Sequence, residues 1–378
     1  MAAGDLDASF AGNGKKRISF GGVDAARAVL VQPNRRIVVA GGGTATGGFC
    51  VARLRANGNL DTTFGSGGKR VIRFGGDQEG AFGAALQPDG KIVLVGDSDF
   101  RVAVARLNAN GSLDTTFSGD GRKLFNWGPI GRAMAALVLS SGKLLLAGFS
   151  GPEGGNMQVA RLNANGALDT SFGTGGKAPV DFGGDDFGVA IARQANGRIL
   201  VAGRSTTAGA VVARLRAGGA LDPDFGGDGK VTVGSGSLSA VLVQPDRKIL
   251  VAGNAGGSAM MTVTRLKTDG SPDTTFDGDG TATIDFDSLA DVANDAVLQP
   301  DGRIVVAGYS QQVASPVAVA RLNANGSPDA TFGTAGKVTV DFGAATFGHA
   351  AALQPNGRIV VAGQMTGLDD FALARLLG

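Results

Sequence analysis

Short apolar runs alternate with polar turns along the whole chain. In residues 80–131, the run GAFGAALQ is followed by a Pro-Asp-Gly turn and then by the runs KIVLVG, FRVAVARLNANG and RKLFNWG. Proline and glycine favour turns, and short runs rich in β-branched residues favour strands. No window has the i, i+3, i+4 spacing of an amphipathic helix. The pattern predicts four strands in this unit, which we call A, B, C and D.

The same unit returns seven times. The phrase LDTTFG, or a close variant, begins at Leu6, Leu60, Leu113, Leu168, Leu221, Pro272 and Pro328. The phrase IVVAG ends at Gly41, Gly96, Gly148, Gly203, Gly253, Gly308 and Gly363. Four-stranded units in a regular array are typical of β-propellers. We therefore predict an all-β, seven-bladed β-propeller with four-stranded antiparallel blades.

The two ends of the chain complement each other. A lone D strand lies at about residues 15–21, and the last unit, about 346–378, has strands A to C without a D. We expect the N-terminal strand to complete the last blade, so that 1–378 forms a single closed propeller without the exposed edges that a linear array would leave. An open array is the alternative, but it would need atypical capping repeats.

The ordered phrases LDTTFG…GK…F…LQPDGKIVVAG…VARLNANG resemble the bacterial delta-60 repeat family, from Leu6 to Leu376. Their strand phrasing is also similar to that of NHL-type and gluconolactonase-like propellers. The resemblance implies a propeller and no settled chemistry. Departures are local: Val138-Leu139-Ser140-Ser141 stands where other units have LQPD, and Pro272 and Pro328 replace the leucine of LD.

The amino-acid composition limits the classes of binding partner that we expect. With 35 Lys+Arg and 33 Asp+Glu, the formal net charge is +2, and no basic cluster is interleaved with aromatic residues, so we expect no nucleic-acid partner. No apolar run reaches the length of a membrane span. The start Met1-Ala2-Ala3-Gly4-Asp5 resembles an exported mature chain. We expect an extracellular or periplasmic monomer, with a cytoplasmic location as the alternative.

Residues repeated in every unit are expected to serve the scaffold. Each ARL or TRL phrase carries an arginine, and we predict that each is partly buried and bonded to a carboxylate or carbonyl near the C–D loop. Each LDxxF aspartate is expected to cap a short helical turn, and each phenylalanine to lie between blades. The single cysteine, Cys50, lies in an apolar C strand and should be buried and inert.

The B–C and D–A segments differ between units, whereas the A–B and C–D segments are nearly uniform. Diversified loops serve recognition, so we place a binding site on the B–C/D–A face near the axis. Counting five residues back from the end of strand A gives one position per unit: Arg27, Phe82, Met134, Val189, Ser239, Asn294 and His349. The ligand-binding candidates are Arg27, Phe82, Arg132, Asp185, Phe187, Asp291, Asn294 and His349. Tyr309 and Trp127 are further candidates for stacking on a sugar or aromatic ligand.

Three functions remain open, of which one is a purely structural role within a larger surface protein. The first is a non-catalytic binding or scaffold propeller that recognises a glycan, peptide or protein, with no catalytic residue assigned. The alternative is a hydrolase or lactonase with one divalent metal, such as Ca²⁺, at the axial mouth. Its candidate ligands are Asp24, Glu79, Asp186, Asn294 and Asp295. His349 is the only histidine, which excludes a histidine-rich metal centre, and no GxSxG motif is present.

Overall fold

The computed structural model describes residues 2–43, 47–151, 155–256, 259–311 and 315–378. These ranges contain 28 strands and no helix. The strands are β1 (Lys15–Ile18), β2 (Asp24–Val31), β3 (Ile37–Gly43), β4 (Gly48–Leu54), β5 (Lys69–Ile72), β6 (Glu79–Leu86), β7 (Ile92–Ser98), β8 (Arg101–Leu107), β9 (Arg122–Phe125), β10 (Gly131–Val138), β11 (Leu144–Ser150), β12 (Met157–Leu162), β13 (Lys177–Val180), β14 (Asp186–Arg193), β15 (Ile199–Ser205), β16 (Gly209–Leu215), β17 (Lys230–Gly234), β18 (Gly236–Val243), β19 (Ile249–Ala255), β20 (Met261–Leu266), β21 (Thr281–Ile284), β22 (Asp291–Leu298), β23 (Ile304–Ser310), β24 (Val317–Leu322), β25 (Lys337–Val340), β26 (Thr346–Leu353), β27 (Ile359–Met365) and β28 (Asp370–Leu376).

The strands form seven antiparallel four-stranded sheets, as predicted. Blades 1 to 6 are β2–β5, β6–β9, β10–β13, β14–β17, β18–β21 and β22–β25. Blade 7 has the order β1-β28-β27-β26. In blade 7, Lys15 pairs with Ala374 and Ile18 pairs with Phe371. The N-terminal strand therefore pairs with the last strand of the chain and completes the ring.

The core lies between neighbouring blades. Phe64, from the LDTTFG turn of blade 1, packs in one cluster with Val38 of its own blade and with Ile92 and Leu94 of blade 2. The equivalent phenylalanine is fully buried in every unit: Phe10, Phe64, Phe117, Phe172, Phe225, Phe276 and Phe332. A buried aromatic ring removes a large apolar area from water, so each ring contributes to holding two blades together.

A buried arginine completes each junction. In blade 2, Arg106 donates from Nε to Asp114 Oδ2 over 2.7 Å and from Nη1 to the carbonyl of Ala164 in blade 3 over 2.5 Å. The guanidinium also lies 4.8 Å from the ring centroid of Phe117. The same ion pair recurs as Arg53–Asp61, Arg161–Asp169, Arg214–Asp222, Arg265–Asp273, Arg321–Asp329 and Arg375–Asp7. The predicted structural role of the repeated arginines is confirmed.

Six of the seven aspartates, all except Asp222, cap a turn as expected, but the turn is not helical. Asp114 Oδ1 accepts hydrogen bonds from the backbone N–H and hydroxyl of Thr116, at 3.1 and 2.7 Å. The N–H of Phe117 returns to the carbonyl of Asp114 over 2.9 Å, which closes one turn. The next N–H, of Ser118, donates to Asn165 O in blade 3. Because this donor bonds the neighbouring blade, the turn does not continue as a helix.

Two other expectations concern single features. Cys50 is fully buried in β4, as predicted. A membrane-spanning helix needs about 18 or more consecutive apolar residues, and the described part of the chain contains no such helix.

Candidate functional site

A β-bulge occurs at the same place in every innermost strand. In β2, Ala26 pairs with Gly41 and Ala28 pairs with Ala40, so Arg27 is left without a partner in the ladder. The same shift leaves one residue unpaired per blade: Arg27, Phe82, Met134, Val189, Ser239, Asn294 and His349. A bulge re-aims side chains, and all seven residues line one cavity of about 350 Å³. We call it the axial cavity.

The wall of the axial cavity is divided into an apolar and a polar arc. Phe82, Met134 and Val189 of blades 2, 3 and 4 form the apolar arc. The polar arc runs through blades 5, 6, 7 and 1, and consists of Ser239, Asn294, His349 and Arg27.

Two members of the polar arc connect neighbouring blades. Ser239 donates from Oγ to Ala293 O over 2.7 Å, and Asn294 donates from Nδ2 to Gly348 O over 2.6 Å. Each bond reaches from one innermost strand to the next. These donors are already used by the scaffold, which leaves Arg27 and His349 as the groups available to a ligand.

Arg27 presents a charge that no acidic group balances. Its side chain reaches the solvent of the cavity, yet protein surrounds that space, so burial lowers the pKa of Arg27, as does the positive charge of Arg132. Arginine remains protonated under these conditions. Its guanidinium lies 5.9 Å from the Phe82 ring centroid and makes no hydrogen bond or ion pair within the described residues. An anion is the chemical partner that this group lacks.

His349 lines the same cavity. Its Nε2 is buried and has no hydrogen-bond partner in the described ranges. Burial, followed by the charge of Arg27, lowers the pKa of His349 to about 3. The imidazole is therefore neutral near pH 7, with one N–H donor and one acceptor nitrogen.

A second space of about 500 Å³ opens beside the axial cavity, between blades 1 and 2 on the B–C/D–A face. We call it the junction recess. Arg27 and Phe82 line both spaces. Arg132 also lines the recess, where it pairs with the buried Asp97 over 3.2 Å and lies 4.6 Å from the Phe82 ring centroid. Burial raises the pKa of Asp97, and Arg132 acts in the opposite direction.

Two glycines account for the recess. At two other junctions, large side chains from strand B of one blade meet those from strand A of the next: Phe149 with Phe187 at 4.9 Å, and Tyr309 with Phe347 at 4.7 Å between ring centroids. At the junction of blades 1 and 2, the corresponding residues are Gly42 and Gly80.

The presence of glycine at Gly42 and Gly80 is explained by the space around these residues and not by their backbone conformation. Neither Gly42 nor Gly80 has a positive φ, so neither conformation requires glycine. A Cβ on Gly42 would lie 3.2 Å from Gly80 Cα, whereas a Cβ on Gly80 would lie 3.6 Å from the Phe82 ring. Gly80 thus keeps the recess open although a side chain would fit there sterically.

The carboxylates proposed as metal ligands are used by their own loops. Asp24 and Asp186 accept the backbone N–H groups of Phe20 and Phe182 at Oδ2, over 2.5 and 2.7 Å, whereas Oδ1 of each is buried with no hydrogen-bond partner in the described residues. Glu79 accepts those of Phe74 and Gly76, together with the hydroxyl of Ser98. Asp291, a ligand-binding candidate, accepts the N–H of Phe286 and the hydroxyl of Ser288. Each acid begins an innermost strand and anchors the preceding D–A loop.

The five proposed metal ligands do not converge. Asn294 and Asp295 line the axial cavity, Glu79 lines the junction recess, and Asp24 and Asp186 line neither. Asp295 accepts the backbone N–H groups of Ala296 and Ala351, and burial raises its pKa to about 6. No group of three or more His, Cys, Asp or Glu side chains in the described residues is arranged to hold a metal.

The remaining candidates pack outside both spaces. Asp185 accepts the N–H of Gly155 over 3.1 Å, and Phe187 lies between Phe149 and Arg204. Tyr309 packs on Phe347, and Trp127 is only 7% exposed. These aromatic side chains fill interblade junctions. The sequence reasoning missed Gly42 and Gly80, although an alignment of the seven units shows glycine where most units have larger residues.

The repeats define the family. Seven segments match one family model, described as "Domain of unknown function (DUF5122) beta-propeller": residues 32–64, 87–117, 139–172, 194–225, 244–276, 299–332 and 354–378. The chain belongs to this β-propeller family. No curated protein matches the sequence.

Solved structures share the fold at low identity. Virginiamycin B lyase from Staphylococcus aureus is similar over 96% of this chain and 98% of its own, with 8% identity and a TM-score of 0.62. A catalytically inactive form of that lyase, solved with quinupristin, has a TM-score of 0.60 at 8% identity, over 96% of this chain and 99% of its own. YCF48 from Cyanidioschyzon merolae has 12% identity and a TM-score of 0.51 over 96% of this chain and 98% of its own. At these identities the likeness concerns the fold alone.

Proposed function

We propose that this protein is a non-catalytic binding propeller whose ligand is a small organic anion held at Arg27, between the axial cavity and the junction recess. The observation that carries the proposal is the Arg27 guanidinium, which faces the axial cavity and the junction recess without an acidic partner in the described residues. The Arg27 side chain is solvent-exposed, but in a partly enclosed space a charge forms a stronger ion pair than it does in open water. A bound anion would supply that pair.

The surrounding groups define how such an anion would bind. A carboxylate matches the two-pronged donor geometry of Arg27, and the Phe82 ring beside it offers an apolar face. Arg132 adds positive charge to the recess while remaining paired with Asp97. The two spaces, of about 350 and 500 Å³, are of the size that holds small organic molecules. These features favour a small molecule over a glycan chain or a protein as the occupant.

The metal-dependent hydrolase has no comparable support. Its proposed ligands Asp24, Glu79 and Asp186 each hold backbone N–H groups of their own loops. A metal would have to compete with these hydrogen bonds and draw together groups from separate blades. We therefore keep the binding function as the proposal.

Isothermal titration calorimetry with a panel of monocarboxylates, dicarboxylates and organic phosphates, each beside its neutral amide or alcohol, tests this proposal. We expect anions to bind and neutral counterparts to fail. Arg27→Gln should weaken binding about 10-fold or more, since a charge-assisted hydrogen bond is worth about 1.5–3 kcal/mol. Arg101→Gln is the matched control, because Arg101 is an exposed arginine at the start of β8 that lines neither space. Equal binding by the Arg27→Gln variant and the parent chain would refute the site.

A second variant tests the recess. Gly80→Leu places a side chain against Phe82 without backbone strain, so it should block binding and leave the unfolding midpoint unchanged. Ser237→Leu is its control, because Ser237 occupies the same strand position in blade 5. Retained binding in the Gly80→Leu variant would exclude the recess as part of the site.

A further inference from the structure

The junction recess lies at a place in the ring where two other junctions have aromatic rings. At those junctions, strand B of one blade and strand A of the next supply an aromatic pair: Phe149 with Phe187, and Tyr309 with Phe347. Gly42 and Gly80 hold the corresponding positions between blades 1 and 2. Both glycines line the recess, so about 500 Å³ stays open at a position that two rings occupy elsewhere.

The walls of the recess suit a flat apolar group. Gly42 and Gly80 present backbone without a side chain, and the partly exposed Phe82 ring lies beside them. A Cβ on Gly80 would lie 3.6 Å from that ring, which is ordinary van der Waals contact. Val23, which is 42% exposed, adds a further apolar surface. A ligand ring beside Gly80 would therefore pack on Phe82 without a steric clash, and aromatic rings in contact stabilise each other.

Two guanidinium groups flank Phe82, and they differ in what they can offer a ligand. Arg132 lies 4.6 Å and Arg27 lies 5.9 Å from the Phe82 ring centroid, and both line the recess. The charge of Arg132 is already paired with Asp97 over 3.2 Å. Its guanidinium can still lie against an aromatic ring, whose negative face attracts a cation. Arg27 has no such pair, so it is the group that binds the carboxylate.

The acidic side chains of the recess limit the ligand to one anionic group. Asp77, Glu79 and Asp97 line the same space as Arg27. Like charges repel, and the repulsion is stronger in a partly enclosed space than in open water. A second carboxylate on the ligand would meet this repulsion, whereas an uncharged ring would not. The acids therefore favour a monoanion.

We infer that the ligand is an aromatic monocarboxylate, whose carboxylate pairs with Arg27 and whose ring occupies the junction recess against Phe82. The ring takes the place that aromatic side chains hold at two other junctions. The inference rests on the proposed anion-binding function, and it adds a preference for an aromatic ring over a saturated one.

Matched ligands separate this inference from the proposed function. The probes are benzoate with cyclohexanecarboxylate, and phenylacetate with cyclohexylacetate; each pair has the same carbon skeleton and one carboxylate. The saturated rings are the more hydrophobic, so burial of apolar area alone would favour them. We expect the unmodified protein to bind the aromatic member of at least one pair about 3- to 10-fold more tightly in calorimetry, the contribution of one aromatic contact.

The outcomes of this titration are distinct. Equal affinities within both pairs, or tighter binding of the saturated acids, would overturn the inference and leave anion binding intact. Absence of binding by all four probes and by the wider anion panel would overturn both the inference and the proposed function.

A variant of Phe82 identifies the group that recognises the ring. Phe82→Leu keeps an apolar side chain without a ring, and it should lose most of the aromatic preference. Phe187→Leu is the matched control, because Phe187 lines neither space, and it should keep the preference. Arg27→Gln should weaken both members of a pair alike. An undiminished preference in a folded Phe82→Leu variant would overturn the contact with Phe82.

A variant of Gly80 tests where the ring lies. Gly80→Phe places a ring at the strand position of Phe187 and Phe347, and it should exclude the aromatic acids from the recess. Ser237→Phe is the control, because Ser237 has the same strand position in blade 5 and lines neither space. Circular dichroism establishes that both variants are folded. Aromatic acids bound by folded Gly80→Phe as tightly as by the unmodified protein would overturn the placement of the ring.

Discussion

Arg375, near the end of the last strand, donates from Nε to Oδ2 of Asp7 over 2.7 Å, although the two residues are 368 positions apart. In the other six units the same bond joins residues eight positions apart. Both partners are almost fully buried, at 2% and 1% exposure. The ring is therefore closed by strand pairing and by the same ion pair that stabilises every other junction.

The first prediction concerns this closure. Arg375→Ala should lower the free energy of unfolding by about 3 kcal/mol, because it leaves the buried Asp7 carboxylate short of a partner. Arg358, which also contacts Asp7 at 2.7 Å, limits the loss. Arg17→Ala is the control: Arg17 also joins the two chain ends, through Asp370, but it is largely exposed and should cost about 1 kcal/mol or less. Urea unfolding measures both, and equal losses would contradict the argument.

The second prediction concerns acid. Lys143, Ser171 and Arg161 hold the pKa of Asp169 well below its usual range. For Asp114, burial raises the pKa, but hydrogen bonds from Thr116 and Arg106 outweigh it and lower the value to about 2. The pKa is lowered for the equivalent aspartate of every unit.

Such groups stabilise the fold above their unfolded pKa of about 3.9 and lose that contribution as pH falls toward the folded value. The free energy of unfolding should therefore fall steeply below about pH 4. Urea titrations between pH 2 and 7, followed by circular dichroism, measure the slope. Asp169→Asn should be less stable at pH 7 and less sensitive to acid. A slope unchanged by that substitution would show that Asp169 does not contribute.

The fold could be predicted because its signals repeat. Each phrase occurs seven times, and each copy lies at an equivalent junction between blades. The buried Arg106–Asp114 pair appears in the sequence as an arginine and an aspartate at a fixed spacing. The position of Arg27 on the innermost strand could also be predicted, by counting residues along strand A. The bulge that turns its side chain toward the axis is visible only in the strand pairing. Because the same residue types recur at the same spacing, the propeller architecture could be predicted from the sequence alone.

The site chemistry was harder to predict because it depends on hydrogen bonds that residue types do not reveal. Asp24 and Asp186 were expected to be metal ligands, since nothing in the sequence shows that a backbone N–H already bonds to one oxygen of each carboxylate. The recess depends on Gly42 and Gly80 meeting across a junction, and glycine is common in this chain, with 64 copies. A missing side chain is informative only when the residues opposite it are known.

The third prediction concerns Asp295. Five other blades have alanine at its strand position: Ala28, Ala135, Ala190, Ala240 and Ala350. Burial raises the pKa of Asp295 to about 6. The folded protein then keeps a proton that the unfolded chain releases above about pH 4, so stability falls as pH rises from about 4 to 6.

Asp295→Ala should remove this loss of stability with rising pH. Relative to the unmodified protein, the variant should gain up to about 3 kcal/mol between pH 4 and pH 7. The lost hydrogen bonds to Ala296 and Ala351 lower its stability at every pH. Asp77→Ala is the control, because Asp77 is exposed and does not line the axial cavity. Parallel pH profiles for Asp295→Ala and the unmodified protein would contradict the role of burial.

The fourth prediction concerns metal ions. Because Asp24, Glu79 and Asp186 are bonded to their own loops, binding Ca²⁺ would cost those hydrogen bonds and would require groups from separate blades to converge. We expect the thermal midpoint to remain within about 1 °C on addition of EDTA or of millimolar Ca²⁺, Mg²⁺, Mn²⁺ or Zn²⁺. A ligand bound only by the folded state raises that midpoint by mass action. A rise of several degrees with one metal, abolished by Asp295→Ala, would instead place a cation in the axial cavity and revive the hydrolase alternative.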